Sequence, residues 1–275
     1  MFTHITLKID RKINCFLRPG KTQTYILLHG FSGDHVGVLD LALQLPKSSE
    51  IIVLDMPGFG ESDDPAENAQ TSVKKYSLFL DAVIAELATT KNVILIGHSF
   101  GAAVGFAYAA QQPNKIKQFI ALCPVASKRF LATLLGRFGV FSARRLGVDR
   151  TVQFLSWPPL VNLETRYLLP NTAKKRYEQI RESRLREARL FRPSTFVMGK
   201  MVDSFQQECA DVELKVPAGI IAAKGDNIAG RTDADWYMQH CHDAIALTVP
   251  GNHLLPTADP ELCAKSIAHI LQTNA

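Results

Sequence analysis

Ser99, in the pentapeptide Gly97-His98-Ser99-Phe100-Gly101, is the residue of this chain whose setting most strongly predicts chemistry. The apolar residues 91–96 before it predict a buried strand, and the small apolar residues 102–110 after it predict a buried helix. A serine between such a strand and helix lies on a tight, strained turn that lifts its hydroxyl clear of the sheet. We therefore interpret Ser99 as a nucleophile. The alternative is an ordinary turn at a strand end.

A serine hydroxyl is a weak nucleophile and needs a base to take its proton. His253, in Pro250-Gly251-Asn252-His253-Leu254-Leu255, follows a strand-like run and precedes the last helical pattern. A loop histidine there is expected over the carboxyl edge of the sheet, where Ser99 also points. The other seven of the eight histidines lie in strand or helix patterns or too close to other motif residues. His253 is thus the predicted base, with a surface-loop histidine as the alternative.

The acid that orients this base is predicted to be Asp226, in Ala222-Ala223-Lys224-Gly225-Asp226-Asn227. It comes just after the strand-like run 218–223, and its role is to fix the imidazole tautomer and stabilise the imidazolium. A turn aspartate is the alternative, because Gly-Asp-Asn is a turn sequence. Asp203, Asp233 and Asp235 are weaker candidates for the acid.

Two backbone N–H groups are predicted to bind the oxyanion. One belongs to Phe100, directly after Ser99, and the other to Phe31 in the loop Leu28-His29-Gly30-Phe31-Ser32-Gly33. Donors aimed at the developing negative charge stabilise the transition state more than the ground state. A glycine-rich turn is also a sufficient description of that loop.

The elements that position these residues alternate between strand and helix patterns. Two leading strands followed by this alternation predict an α/β protein with a mostly parallel, doubly wound sheet of about eight strands. The strand-like runs are 3–9, 13–17, 25–28, 51–55, 93–96, 116–122, 218–223 and 244–249. Long helices are predicted over 72–90 and 259–271.

The alternation stops between residues 124 and 210, which predicts a helical cap or lid inserted into a core formed by residues 1–123 and 211–275. Ligands bind at the carboxyl ends of the strands in such sheets, and we expect the insertion to lie there. Its helical patterns are 129–138, 149–156, 173–190 and 195–205.

The positive charge of the chain lies in this insertion. Residues 125–210 hold 16 Lys and Arg against 7 Asp and Glu, whereas the whole chain has a net charge of +5. Arg181, Arg184, Arg186 and Arg189 crowd one helical segment, and Trp157 is among the aromatic residues expected to wall an apolar pocket. A solvated basic face is the simple interpretation. The sharper one is a substrate or partner site for an anion, such as an acyl carrier protein or a coenzyme A thioester.

Composition and cysteine usage restrict the class of protein. Hydrophobic residues make up 47% of the 275, no apolar run is long enough to span a bilayer, and the N-terminus reads as a strand instead of a signal peptide. Five widely spaced cysteines without a C-x-x-C pair fit free thiols in a reducing cytoplasm. We expect no metal, since His240-Cys241-His242 has no further ligands nearby.

These motifs together resemble the α/β-hydrolase family, over residues 25–101 and from about 217 onward. Ser99, Asp226 and His253 follow the family order. His29-Gly30 resembles the family's oxyanion loop, Asp55-Met56-Pro57-Gly58-Phe59-Gly60-Glu61-Ser62 its D-x-P-G-x-G-x-S turn, and Gly251-Asn252-His253 its histidine loop. Two departures are Ala102, where many relatives have a second glycine, and the missing proline after Asp226.

The resemblance implies acyl transfer to water without a cofactor, on a small-molecule ester or thioester. A serine at this position argues against the dehalogenase and epoxide hydrolase branches, which use aspartate. With its basic cap, the chain is similar to the methyl esterase type that acts on pimeloyl-carrier protein in biotin synthesis. Three alternatives stay open: a non-catalytic receptor on the same fold, a carbon–carbon hydrolase or lyase with the same triad, and a membrane-surface protein. Nucleic-acid binding is disfavoured, because the cap shows no groove-reading motif.

Overall fold

The computed structural model describes residues 1–126, 141–143, 145–170 and 172–273. The eight strands are β1 Thr3–Lys8, β2 Lys12–Arg18, β3 Thr24–Leu28, β4 Glu50–Leu54, β5 Val93–His98, β6 Gln118–Leu122, β7 Ala218–Ala223 and β8 Ala244–Val249. They form one sheet in the order β1-β2-β4-β3-β5-β6-β7-β8. β2 pairs antiparallel with β1 and β4, and all other pairs are parallel. The mostly parallel sheet of about eight strands is confirmed.

Helices follow most of the parallel strands. Those before β6 are α1 Val36–Gln44, α2 Val73–Ser77, α3 Phe79–Leu87 and α4 Phe100–Gln111. Between β6 and β7 lie α5 Val148–Leu155, α6 Pro158–Leu168, α7 Lys174–Arg189 and α8 Pro193–Glu208. The chain continues with α9 Arg231–His240, α10 Leu255–Ala258 and α11 Pro260–Thr273. No helix in the described part of the chain is both long and apolar enough to cross a membrane.

Alternate side chains of the central strands supply two apolar layers, one on each face of the sheet. In β3, Tyr25 and Leu27 pack in the layer that contains residues of α1 and α11. Ile26 and Leu28 point the other way, into the layer that contains residues of α2, α3, α4, α8 and α9. Because both faces of β3 to β6 are covered, these strands read as continuous apolar runs in the sequence. Because these strands are parallel, the loops that follow them meet at one edge of the sheet.

The helices between β6 and β7 are attached to this core at several points. Ser72 Oγ donates a hydrogen bond of 2.8 Å to Glu208 of α8, so that carboxylate lies at the N-terminus of α2, where it is favoured. Thr195 Oγ1 donates to the carbonyl oxygen of Gly58 at 2.6 Å. Arg176 of α7 forms an ion pair of 2.6 Å with Asp40 of α1. The division of the chain at residues 124 and 210 stays a prediction.

Several local expectations were wrong. The helix expected over 72–90 is two helices, because at Leu78 the N–H bonds to the carbonyl of Lys75, three residues back, and the turn tightens. β6 begins at Gln118 and not at residue 116. Helices α1 and α6 were not expected. The helix predicted over 129–138 lies outside the described residues.

Candidate active site

Ser99 lies on a strained turn between β5 and α4. Its φ of 53° and ψ of −113° are unusual for a residue with a side chain, and such strain is found mostly at functional sites. A Cβ on Gly97 would lie 2.3 Å from the carbonyl oxygen of Gly101. A Cβ on Gly101 would lie 2.6 Å from the carbonyl oxygens of Leu28 and His29. Backbone atoms cannot move aside cheaply, so the two glycines are what allows this turn to form.

The structure brings Ser99, His253 and Asp226 together at the carboxyl edge of the sheet. Ser99 Oγ lies 2.9 Å from His253 Nε2. His253 Nδ1 lies 2.9 Å from one carboxylate oxygen of Asp226 and 3.0 Å from the other. A carboxylate only accepts hydrogen bonds, so Nδ1 carries the proton and Nε2 is left to accept the serine hydroxyl. The N–H groups of Ile228 and Ala229 both donate to Asp226 Oδ1 at 2.8 Å and fix its orientation.

The three weaker aspartate candidates are not placed at this histidine. Asp233 is buried and accepts from the N–H groups of Ala126 and Gly230, at 2.9 and 2.7 Å. Asp235 lies on the outer side of α9, 3.9 Å from Arg231. Asp203 lies on α8. Among these aspartates, Asp226 is the one hydrogen-bonded to His253.

A second histidine, His98, is hydrogen-bonded to the backbone of His253 and helps to position it. Its Nε2–H donates a 2.7 Å hydrogen bond to the carbonyl oxygen of His253, and the two rings are 5.2 Å apart. Burial, together with the nearby His253, lowers the pKa of His98 to about 3. His98 is therefore neutral near pH 7 and acts as a hydrogen-bond donor to the loop that carries His253. The sequence did not predict this role for His98, the variable residue before Ser99 in the pentapeptide, because its acceptor is a backbone atom 155 residues away.

The loop after β3 holds Phe31 close to Phe100. Both residues line the same cavity as Ser99, and their rings meet edge to face at 5.7 Å. Phe100 is the first residue of α4, so its N–H is one of the groups at a helix start that has no partner within the helix. Placement of both residues beside Ser99 is compatible with the predicted oxyanion donors, whose role stays a prediction.

His29 braces that loop. The N–H of Met56 donates to His29 Nε2 at 3.0 Å, so Nδ1 carries the proton and donates to the carbonyl oxygen of Gly30 at 2.8 Å. Burial lowers the pKa of His29 and keeps the ring neutral. The loop is thus fixed by an internal hydrogen bond next to Phe31.

Asp55, at the start of the D-x-P-G turn, holds the other end of the loop. It is fully buried and accepts 2.8 Å hydrogen bonds from both the N–H and the Nδ1 of His35. It also accepts from the N–H of Glu61 at 3.1 Å. Burial acts to raise the pKa of Asp55, but the hydrogen bond and the charge of His35 outweigh it and hold the pKa at about 2. The turn therefore orders the sheet edge beside the site.

A cavity of about 280 Å³ lies over Ser99 and His253. Its walls come from loops at the carboxyl edge of the sheet and from the helices between β6 and β7. The apolar lining includes Leu155, Leu160, Val161, Leu168, Ile180, Phe196, Val202, Ile228 and Leu254. The polar lining away from the serine includes Ser32, Glu164, Ser183, Arg184 and Glu187. Neither glutamate, nor either of these serines, was singled out from the sequence.

Three of the four clustered arginines of α7 form ion pairs. Arg181 pairs with Glu178 at 3.0 Å, and Arg186 pairs with Asp34 at 2.6 Å. Arg184 lies between Glu164 and Glu187, 3.1 Å from each. Arg189 is exposed. Nearby carboxylates thus balance much of the positive charge of α7. This is the charge from which the sequence analysis suggested a site for an anion.

Trp157 lies outside the cavity lining. It is 54% exposed at the start of α6, near the ring of Phe154 at 6.3 Å. Its neighbours Leu155, Ser156 and Leu160 line the cavity instead. The expectation that Trp157 contacts a ligand in the cavity therefore finds no support in its position.

One group of side chains has the spacing of a metal site. In the described part of the chain, Asp34, His35 and Asp55 place ligand atoms within 4.8 Å of one another. Those atoms already serve other partners, because His35 bonds to Asp55 and Arg186 pairs with Asp34. At residues 240–242, where we expected no metal site, the ring of His240 stacks on Trp236. The five cysteines are buried and free.

Comparison with known proteins gives matches to proteins named as hydrolases. A family model described as alpha/beta hydrolase fold matches residues 25–189. Monoacylglycerol lipase ABHD6 from Homo sapiens is 30% identical over 112 residues, which are 39% of this chain and 32% of that protein. The matched segments span only about a third of the length of the first curated relatives.

Solved structures agree on the fold. An esterase from Thermogutta terrifontis superposes with a TM-score of 0.73 at 18% identity, covering 99% of this chain and 98% of that one. The epoxide hydrolase CorEH superposes with a TM-score of 0.79 at 16% identity, covering all of both chains. At these identities the likeness shows the fold alone. The family model match confirms the α/β-hydrolase resemblance inferred from the sequence motifs.

Proposed function

This chain belongs to the alpha/beta hydrolase fold family, and we propose that it is a serine hydrolase that cleaves a carboxylic ester or thioester. The observation that carries the proposal is the continuous hydrogen-bond chain from Ser99 through His253 to Asp226, with distances of 2.9 Å at each link. Its three residues come from the loops after β5, β8 and β7, in the sequence order typical of this fold. The cavity over the serine gives an acyl group a place to bind.

In the proposed mechanism Ser99 Oγ attacks the substrate carbonyl while His253 Nε2 takes the hydroxyl proton. Asp226 stabilises the resulting imidazolium and remains ionised. The N–H groups of Phe31 and Phe100 donate to the oxyanion, and loss of one such donor typically costs about 3 kcal/mol of transition-state stabilisation. His253 then protonates the leaving alcohol or thiol. Water, deprotonated by the same histidine, releases the acid from Ser99.

Nearby nucleophiles do not compete with Ser99 in this proposal. Cys123 follows β6 and contacts the carbonyl oxygen of Asn252 at 3.7 Å. Burial raises the pKa of the Cys123 thiol well above its ordinary value, so the thiolate is absent near pH 7. The family resemblance implies an aspartate at this position in epoxide hydrolases, so Ser99 favours ester cleavage over epoxide opening.

The apolar part of the cavity supports an aliphatic acyl chain as one arm of the substrate. Its side chains come mainly from α6, α7 and α8, which in this proposal form a cap that selects the substrate. The relative named monoacylglycerol lipase is consistent with such a chain. The hypothesis of a carrier-protein or coenzyme A substrate was based on the arginines of α7. Since three of them are ion-paired, that substrate and the pimeloyl-ester activity stay predictions.

The test is hydrolysis of p-nitrophenyl esters of increasing acyl length by the purified protein, with Ser99→Ala and His253→Ala alongside. We expect turnover that both substitutions abolish, and labelling of Ser99 by a fluorophosphonate. Turnover that survives Ser99→Ala would assign the chemistry elsewhere. Absence of both turnover and labelling would favour a non-catalytic receptor. Labelling without ester turnover would favour a carbon–carbon or macromolecular substrate.

A further inference from the structure

One wall of the cavity is polar, in contrast to the aliphatic side chains around the rest of it. This polar wall consists of Ser32, Glu164, Ser183, Arg184 and Glu187. Arg184 donates to Glu187 and to Glu164 at 3.1 Å each, and Ser183 Oγ donates to Glu187 at 3.1 Å. The five side chains therefore form a connected network that faces the space left for a substrate.

The charges of this wall are balanced internally. Burial acts to lower the pKa of Arg184, but the two carboxylates outweigh it and keep the guanidinium charged. Glu187 is only 6% exposed, and burial raises its pKa against the opposing effect of Arg184. Two carboxylates facing one guanidinium leave no net positive charge for a ligand. An anionic group placed here would meet repulsion from Glu164 and Glu187.

The wall also keeps hydrogen-bonding capacity for a ligand. Glu164 has a side chain 38% exposed, which leaves carboxylate lone pairs accessible from the cavity. An alkyl group bound here would desolvate these atoms without replacing their hydrogen bonds, which is unfavourable. A hydroxyl group replaces them, because it both donates and accepts.

The wall lies next to the reacting centre. Ser32 is adjacent in sequence to Phe31, the proposed oxyanion donor, and Arg184 Nη1 lies 3.5 Å from Ser32 Oγ. Ser32 itself has a φ of 57°, which turns the loop sharply at this point. A group that contacts the wall is thus close to the carbonyl that Ser99 attacks.

From these contacts we propose that the polar wall selects esters that carry uncharged hydroxyl groups close to the scissile carbonyl, and that it rejects esters with a carboxylate there. The inference rests on the proposed ester hydrolysis and adds the class of substrate. Hydroxyl groups can reach the wall from the alcohol arm or from the acyl arm of the ester, and the experiment separates the two.

The experiment compares kcat/KM for matched substrates of the wild-type protein. The alcohol arm is tested with the propyl, 2,3-dihydroxypropyl and 2-carboxyethyl esters of octanoic acid. The acyl arm is tested with the p-nitrophenyl esters of octanoic and 3-hydroxyoctanoic acid. We expect the hydroxylated member of at least one set to exceed its alkyl counterpart about 10-fold or more, as sites built for a hydroxyl do. The carboxyethyl ester is expected to be the poorest.

Variants of the wall then attribute the preference. Glu164→Gln removes one carboxylate from a half-exposed position and is the variant least disturbing to folding. Arg184→Gln removes the central donor. Arg181→Gln is the matched control, because Arg181 lies on the same helix in an ion pair but does not line the cavity. We expect the first two to bring the hydroxyl-to-alkyl ratio close to one and the control to leave it unchanged.

Each outcome bears on the inference. A wild-type ratio near one in both sets, a preference for the carboxyethyl ester, or a ratio that Glu164→Gln and Arg184→Gln leave intact overturns it. In those cases Ser99-dependent hydrolysis of the propyl or p-nitrophenyl octanoate still supports ester hydrolysis itself. Failure to hydrolyse any of the five esters overturns both the proposed function and this inference.

Discussion

The side chain of His98 is hydrogen-bonded to the main chain of His253 at 2.7 Å, so the two histidines of the site are linked. One imidazole faces the serine, and the other carries the loop that places it. The link joins the end of β5 to the loop after β8. This hydrogen bond thus helps to fix the position of His253 relative to Ser99 without using either ring nitrogen of His253.

We predict that His98→Phe lowers kcat for p-nitrophenyl esters about 10-fold with a smaller change in KM. Phenylalanine fills the space of the imidazole but leaves the buried carbonyl of His253 without its donor, and an unsatisfied buried acceptor costs about 1–3 kcal/mol. The check is steady-state kinetics together with the rate of fluorophosphonate labelling. Unchanged kcat in a folded His98→Phe protein would show that the link is dispensable.

The buried His98 also predicts loss of stability in acid. In the unfolded chain this residue takes up a proton near its ordinary pKa of 6.5, whereas in the folded protein it stays neutral down to about pH 3. Its contribution is fully present above pH 6.5 and is lost as the pH falls from 6.5 toward 3, by up to about 1.4 kcal/mol per pH unit. Urea unfolding of His98→Gln should show a shallower decline than wild type over this range. The exposed His269→Gln serves as control and should follow wild type.

Asp226→Asn is predicted to lower kcat about 1000-fold or more while the fold persists. An amide that donates to Nδ1 stabilises the wrong tautomer of His253, and the corresponding change in a serine protease triad has an effect of this order. Asp235→Asn is the matched control, since that residue lies on the surface, and it should change kcat less than two-fold. Retention of activity by Asp226→Asn would reopen the assignment of the acid.

Gly101→Ala is predicted to destabilise the protein by about 3 kcal/mol or more, because the new Cβ meets two backbone carbonyl oxygens at 2.6 Å. Gly37→Ala provides the opposite case. Its Cβ would have no atom within 4 Å, and alanine is favoured over glycine inside a helix by about 1 kcal/mol. Thermal or urea unfolding measures both. Equal effects of the two substitutions would contradict the close approach of α4 to the loop after β3.

Arg186→Gln is predicted to lower kcat several-fold and to reduce stability by about 1 kcal/mol, the order expected for a partly exposed ion pair. Its partner Asp34 is buried at the end of the loop that holds Phe31. Arg189→Gln on the same helix is the control and should change unfolding free energy by less than about 0.5 kcal/mol. Similar results for the two variants would mean that the ion pair does not order the loop.

Much of the fold and the relative placement of Ser99, His253 and Asp226 could be predicted because short-range patterns carry them. Buried strands are continuous apolar runs, and the turn at Ser99 needs glycines at fixed positions. Helix α6 was missed because Pro158-Pro159 reads as a break, although proline is well accepted in a first turn.

The polar contacts were harder to predict, because their partners are remote in the chain. Arg184 meets Ser32 across 152 residues, and His98 meets His253 across 155. The sequence showed an excess of arginine in one helix but not the carboxylates that face it. A charge count over a segment therefore overestimated the surface available to an anion.

The segment between β6 and β7 and the rest of the chain contribute different parts of the candidate site. The proposed nucleophile, base, acid and oxyanion donors all lie before β6 or after β7, whereas about half of the cavity lining comes from the segment between these strands. Relatives can then differ in this segment, and so in substrate selectivity, while they keep the proposed catalytic residues. Such exchange is constrained where arginines of this segment contact loops outside it: Arg186 pairs with Asp34, and Arg192 donates to the carbonyl oxygen of Ser62. Chimeras between relatives should tolerate new cavity-lining residues more readily than new residues at those two contacts.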